Sequence, residues 1–110
     1  MKPILAITMG DPAGIGPEIV VRALSHKDTY EKCRAIVTGD AAVMQEAVRR
    51  LGYDFSINAV NRVADAKFEY GTIDVYDLHC VDMSTFRFGE VQAQCGNAAF
   101  VSIRKAIELA

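Results

Sequence analysis

Cysteine is scarce: Cys33, Cys80 and Cys95 are the only three, an odd number with no Cys-x-x-Cys pair. That excludes a disulfide scaffold and fits a reducing compartment. Histidine is scarcer still, with His26 and His79 far apart and no third ligand beside either, so spacing builds no metal site. An excess of one charge is also missing. Twelve Lys+Arg stand against 14 Asp+Glu for a net charge of −2, whereas a nucleic-acid partner calls for clustered basic residues. No uninterrupted apolar run approaches the roughly 18 to 20 residues that cross a bilayer. The N-terminus lacks the basic region, apolar run and small-residue cleavage site of a signal peptide, so the cytoplasm is the expected location. Internal repeats and low-complexity segments are absent.

What is present is a globular composition, 51% hydrophobic and 24% charged over 110 residues. Lys2 to Met9 predicts a buried strand, because Pro3 to Ile7 is a nearly continuous apolar run of strand length. A loop from Gly10 to Gly16 follows, and Pro17 suits the first position of a helix. Ile19, Val20, Ala23 and Leu24 supply that helix with an apolar face. Ala35 to Thr38 predicts a second strand. Asp40 then caps a helix carrying Val43, Met44, Ala47, Val48 and Leu51 at helical spacing, and Gly52 stops it. Phe55 to Val60 and Thr72 to Leu78 read as two further strands, and His79 to Gly89 as loop. A last helix from about Gln94 shows an apolar face through Phe100, Ile103, Ile107 and Ala110, still running where the sequence stops, so a truncated domain is expected. This order implies an α/β layer structure with at least one parallel strand pair and a ligand site at the carboxyl ends of the strands.

Gly10 to Gly16 lies at such an end. The run Thr8-Met9-Gly10-Asp11-Pro12-Ala13-Gly14-Ile15-Gly16-Pro17-Glu18 concentrates glycine and proline as no other stretch does. Glycine permits positive φ or close approach of backbone to a ligand, and the following helix N-terminus offers unpaired N–H groups. Against a phosphate cradle stand the carboxylates of Asp11 and Glu18. The glycine spacing also differs from the dinucleotide fingerprint Gly-x-Gly-x-x-Gly, and no Lys-Ser/Thr pair forms a P-loop. A tight strand-to-helix turn that needs Gly and Pro for geometry alone is the structural alternative.

This run, preceded by its short apolar strand, resembles the N-terminus of the 4-hydroxythreonine-4-phosphate dehydrogenase family and its relatives acting on four-carbon acid phosphates. Three further pieces agree in order: Val37-Thr38-Gly39-Asp40 before a helix, the Gly52 stop, and Gly89-Glu90-Val91 leading through Gly96-Asn97-Ala98-Ala99 into the last helix. The resemblance spans the chain and is weakest between Tyr53 and Arg87. It implies a partial three-layer α/β domain like that of the isocitrate and isopropylmalate dehydrogenases, which carry a similar Gly-Asp-Gly-Ile-Gly-Pro-Glu run. Residues 1–110 would be the N-terminal part of that single domain. It further implies a homodimer that oxidises a phosphorylated hydroxy acid, such as 4-phosphohydroxy-threonine, with NAD or NADP. A divalent metal would be held by histidines and the β-keto acid would lose carbon dioxide, a step that metal polarisation favours. Those histidines are expected beyond Ala110. No catalytic or metal-binding residue is therefore assigned here, and no cofactor is expected to bind tightly to this chain alone. Within it, Gly14, Ile15 and Gly16 are the candidates for touching the dinucleotide, Ile15 through an apolar contact.

Other residues invite smaller roles. His79-Cys80 is the better ligand pair on paper, but free cysteine is most often a small buried hydrophobe. The same holds for Cys95, although a helix N-terminus can activate a thiol. His26 reads as solvent-facing after the first helix, Arg49 and Arg50 as the solvated face of theirs, and Asn97 and Ser102 as surface or helix-end polar groups. The rival to the dehydrogenase reading is a small anion- or nucleotide-binding module without catalysis.

Overall fold

The computed structural model describes residues 2–90 and 92–109. Val91 and Ala110, both invoked above, lie outside them. Four strands, Ile4–Thr8 (β1), Arg34–Gly39 (β2), Ser56–Val60 (β3) and Thr72–Asp77 (β4), form one sheet in the order β1-β2-β4-β3. All three pairings are parallel. The helices are Gly16–Leu24 (α1), Lys27–Lys32 (α2), Ala41–Leu51 (α3) and Ala93–Leu109 (α4).

Strand alternation sorts the layers. Ala35, Val37, Ile73 and Val75 share a core with Val20 and Val21 of α1 and Val43 and Met44 of α3. The intervening Thr38 points the other way and donates from Oγ1 to the Ser102 carbonyl of α4 at 2.8 Å. Helices therefore cover both faces of the sheet, the expected three-layer arrangement. No helix among the described residues is long and apolar enough to cross a membrane.

The structure departs from the sequence expectations in several places. Among the described residues β1 pairs with β2 alone, and Ile4 and Leu5 are 45% and 47% exposed where a buried strand was expected. The face α1 buries is Pro17, Val20, Val21 and Leu24, one step round from the expected one, and Ile19 and Ala23 are exposed. The short α2 was not expected; it is anchored by Tyr30, whose ring is buried and whose hydroxyl donates to the Thr72 carbonyl at 3.3 Å. His26, exposed, is its N-cap.

Parallel neighbours need a crossover, yet β3 and β4 are joined without an α-helix, by a single 3₁₀ turn at Val63–Asp65. Buried Asp74 on β4 organises that link. Its carboxylate accepts from the Lys67 and Phe68 amides at 3.0 and 2.8 Å and from Asn58 Nδ2 at 2.8 Å. Phe68 sits at φ +53, where a bulky residue persists only if its surroundings hold it.

On α4 the expectation is inverted. Cys95, Ala98 and Ser102 are the buried residues, and Phe100, Ile103 and Ile107 face outward at 61%, 49% and 71% exposure. Small side chains let the helix approach β2 closely enough for the Thr38–Ser102 bond. Ser102, read from sequence as a surface group, is fully buried and satisfied by donating to the Ala98 carbonyl at 2.7 Å.

Candidate functional site

The loop between β1 and α1 is built around Met9, which is fully buried. Gly10 takes φ +76, a conformation side chains rarely adopt. Gly16 is required for a different reason: a Cβ there would collide with the Met9 carbonyl oxygen. Asp11 folds the segment between them, its Oδ1 accepting from the Ala13 amide at 2.9 Å and its carbonyl from the Gly14 amide at 3.0 Å. Gly14 itself meets neither demand, since the nearest atom to an added Cβ is 3.5 Å away. Ile15, the N-cap position of α1, offers no capping side chain and stands 70% exposed.

The segment after β4 closes over this loop. Asp40 caps α3 through Oδ1, accepting from the Ala42 and Val43 amides at 2.9 and 3.2 Å, as its place before the helix implied. Its Oδ2 accepts from the Val81 amide at 3.0 Å. Asp77 Oδ1 accepts from the amides of Ala41 and His79, at 3.2 and 3.1 Å. Farther along, the Gly89 amide donates to the Ala13 carbonyl at 2.8 Å, and the rings of Phe86 and Phe88 meet edge to face. A cavity of about 280 Å³ results, lined by Gly14, Ile15, Glu18, Arg50, Phe88 and Gly89. The Arg50 guanidinium lies 4.6 Å from the Phe88 ring centroid, a cation–π contact.

Gly14 and Ile15 thus line one cavity, while Gly16 packs against Met9. Arg49 is a surface partner of Glu46, as expected for a solvated face. Arg50 is exposed too, as expected, but it also lines the cavity, a placement its helical position could not reveal because the aromatic it covers comes from a loop with no periodicity. The Phe-x-Phe spacing at Phe86 and Phe88 was the one available signal.

Neither Cys80 nor Cys95 is activated. Burial pushes the Cys80 thiol up to about 11, and the Asp40 and Asp77 charges add to the effect. Burial and the Asp11 charge also raise Cys95, which outweighs its place in the first turn of α4. His79 is exposed at φ +48, its Nδ1 3.4 Å from Asp77 Oδ2. Among the described residues no group of three His, Cys, Asp or Glu side chains is placed to hold a metal ion.

Comparison with known proteins bears on this arrangement. The family described as pyridoxal phosphate biosynthetic protein PdxA matches residues 31–110. A Symbiobacterium thermophilum protein provisionally named D-threonate 4-phosphate dehydrogenase is 47% identical over 109 residues, covering 99% of this chain and 32% of its own length. The crystal structure of a 4-hydroxythreonine-4-phosphate dehydrogenase from Burkholderia phymatum superposes with a TM-score of 0.94 at 38% identity, covering 99% of this chain and 33% of that one. The corresponding Klebsiella pneumoniae structure gives 0.88 at 37% identity, with 100% and 33% covered. The chain spans about a third of the length of these relatives, and its fold is that of the isocitrate and isopropylmalate dehydrogenase-like enzymes.

Proposed function

We propose, from the premise that the chain belongs to the pyridoxal phosphate biosynthetic protein PdxA family, that it is the N-terminal part of a single-domain dehydrogenase that oxidises a phosphorylated hydroxy acid with NAD or NADP. The substrate class follows the relatives' names, threonate 4-phosphate or 4-hydroxythreonine 4-phosphate, and the working unit is a homodimer in the cytoplasm. The observation that carries the cofactor assignment is Gly14. The fold explains Gly10 by its φ and Gly16 by Met9, whereas Gly14 is under neither constraint, a Cβ there making only ordinary contact with Asp11, and it lines a cavity shared with exposed Ile15.

A dinucleotide fits such a wall: backbone can approach it at Gly14, and Ile15 supplies an apolar surface for the base. The dinucleotide contributes the hydride acceptor. The chain's own residues position it and exclude water, with the β1–α1 loop held by Met9 and the 78–90 segment held by Asp40 and Ala13. A metal does not fit the donor set of the described residues, and no step is assigned to one.

The test is a chimera in which this chain replaces the matching third of the Symbiobacterium thermophilum relative. We expect reduced dinucleotide to form with D-threonate 4-phosphate or 4-hydroxythreonine 4-phosphate, and Ile15→Asp to raise the dinucleotide KM about tenfold with little change in Tm. A folded chimera inactive on both acids, beside an active parent, overturns the reading.

A further inference from the structure

We infer that Arg50 binds a phosphate group of the dinucleotide; this rests on the cofactor reading above and adds the residue that recognises charge. Every dinucleotide brings phosphates to its site, and something must neutralise them. The β1–α1 loop is poorly equipped to do so. Its Ala13 and Gly14 amides are already donated to Asp11, Pro17 has no N–H to offer, and Glu18 adds a carboxylate to the same cavity.

Among the described residues lining that cavity, Arg50 is the one cation. No carboxylate among the described residues lies within ion-pair distance of it; Glu46, one turn back, is committed to Arg49. The Phe88 ring lies 4.6 Å from the Arg50 Cζ and restrains the side chain through a cation–π contact. A guanidinium held against an aromatic ring at the wall of this cavity can offer two N–H groups to phosphate oxygens, the bidentate mode by which arginine takes phosphate. The aromatic contact also lowers the entropy lost on binding, because one long side chain is already ordered.

The experiment uses the chimera described above, ¹⁵N-labelled in its first 110 residues, titrated in separate arms with NAD, NADP, adenosine and inorganic phosphate, and follows the Gly14 and Ile15 amides and Arg50 Nε by NMR. Arg50→Gln keeps a helix-compatible stem on an exposed face and is checked by its melt; Arg50→Lys keeps the charge without the fork. The expected result is a Kd for NAD or NADP about tenfold weaker in Arg50→Gln, partial recovery in Arg50→Lys, and no change for adenosine. Unchanged dinucleotide affinity in Arg50→Gln, with Ile15→Asp still weakening it, overturns the role of Arg50 alone. Shifts at Arg50 with inorganic phosphate that NAD and NADP do not displace overturn it in favour of the substrate's phosphate. No dinucleotide shift at Gly14 or Ile15 in the unsubstituted chimera brings down the cofactor reading, and this inference with it.

Discussion

The Asp40 carboxylate reaches across the strand ends to the Val81 amide, Oδ2 to N at 3.0 Å, while its other oxygen caps α3. One side chain therefore ties the start of α3 to the segment that roofs the cavity. Asp40→Asn keeps one acceptor oxygen for the helix but presents an N–H₂ to the Val81 N–H. Losing a buried acceptor in this way costs roughly 1–3 kcal/mol. We expect a lower Tm together with faster hydrogen exchange at the Val81 amide; unchanged exchange there would show that the roof is held by other contacts.

Gly14 and Gly16 separate ligand space from packing. A methyl on Gly16 meets the Met9 carbonyl, and relieving that overlap must move backbone, at roughly 1–3 kcal/mol. Gly14→Ala faces only ordinary contact, 3.5 Å to the Asp11 carbonyl. The motif alone treats the two glycines alike, as candidates for positive φ or for close approach to the dinucleotide. The structure instead predicts a lowered Tm for Gly16→Ala and an unchanged one for Gly14→Ala, with dinucleotide affinity falling in the second. Equal melts for the two would remove the distinction.

How much was legible follows from which signals are local. Asp40 and Gly52 bracket α3 because capping is chemistry within one turn, and all four strands were found because β-branched runs end at glycine or polar turns. The burial of those elements was not legible. The exposure of Ile4 and Leu5 depends on which elements pack over the faces of β1, and the outward face of α4 carries its largest apolar side chains because docking against β2 favours small ones. Both depend on neighbours far along the chain. The cavity shows the same division, with Gly14 and Ile15 announced by their motif and Arg50 placed only by Phe88 of a distant loop.

Alkaline pH should destabilise the chain in a window set by groups that the folded state keeps protonated, Cys80 and Tyr30 foremost, with Cys95 shifted in the same direction. Cys80 rises from an ordinary 9.0 to about 11, and Tyr30 from 10.0 to about 12, both mainly through burial. In each, the folded state holds its proton more tightly than the unfolded state. Their contribution is therefore complete below about pH 9 and is lost as pH rises through the folded values, to about 12. The Tm should fall across that range, and Cys80→Ala should remove the part between about 9 and 11 while leaving the Tyr30 part. A Tm flat from pH 9 to 12 would contradict both burials.

The outward stripe of α4 predicts association. Phe100, Ile103 and Ile107 lie one turn apart on a helix whose inner face is already satisfied by β2, so the described residues leave their apolar surface uncovered. Apolar surface gains about 25 cal/mol per Å² on leaving water, and a stripe of three large side chains provides a continuous strip for another surface to cover. At rising concentration the 110-residue chain should self-associate through this face. Ile103→Lys with Ile107→Lys should abolish that association in sedimentation velocity without lowering the Tm, because neither side chain contributes to the core. A double variant that still associates, or that melts markedly lower, would mean that these residues are engaged within the chain and that α4 is docked differently.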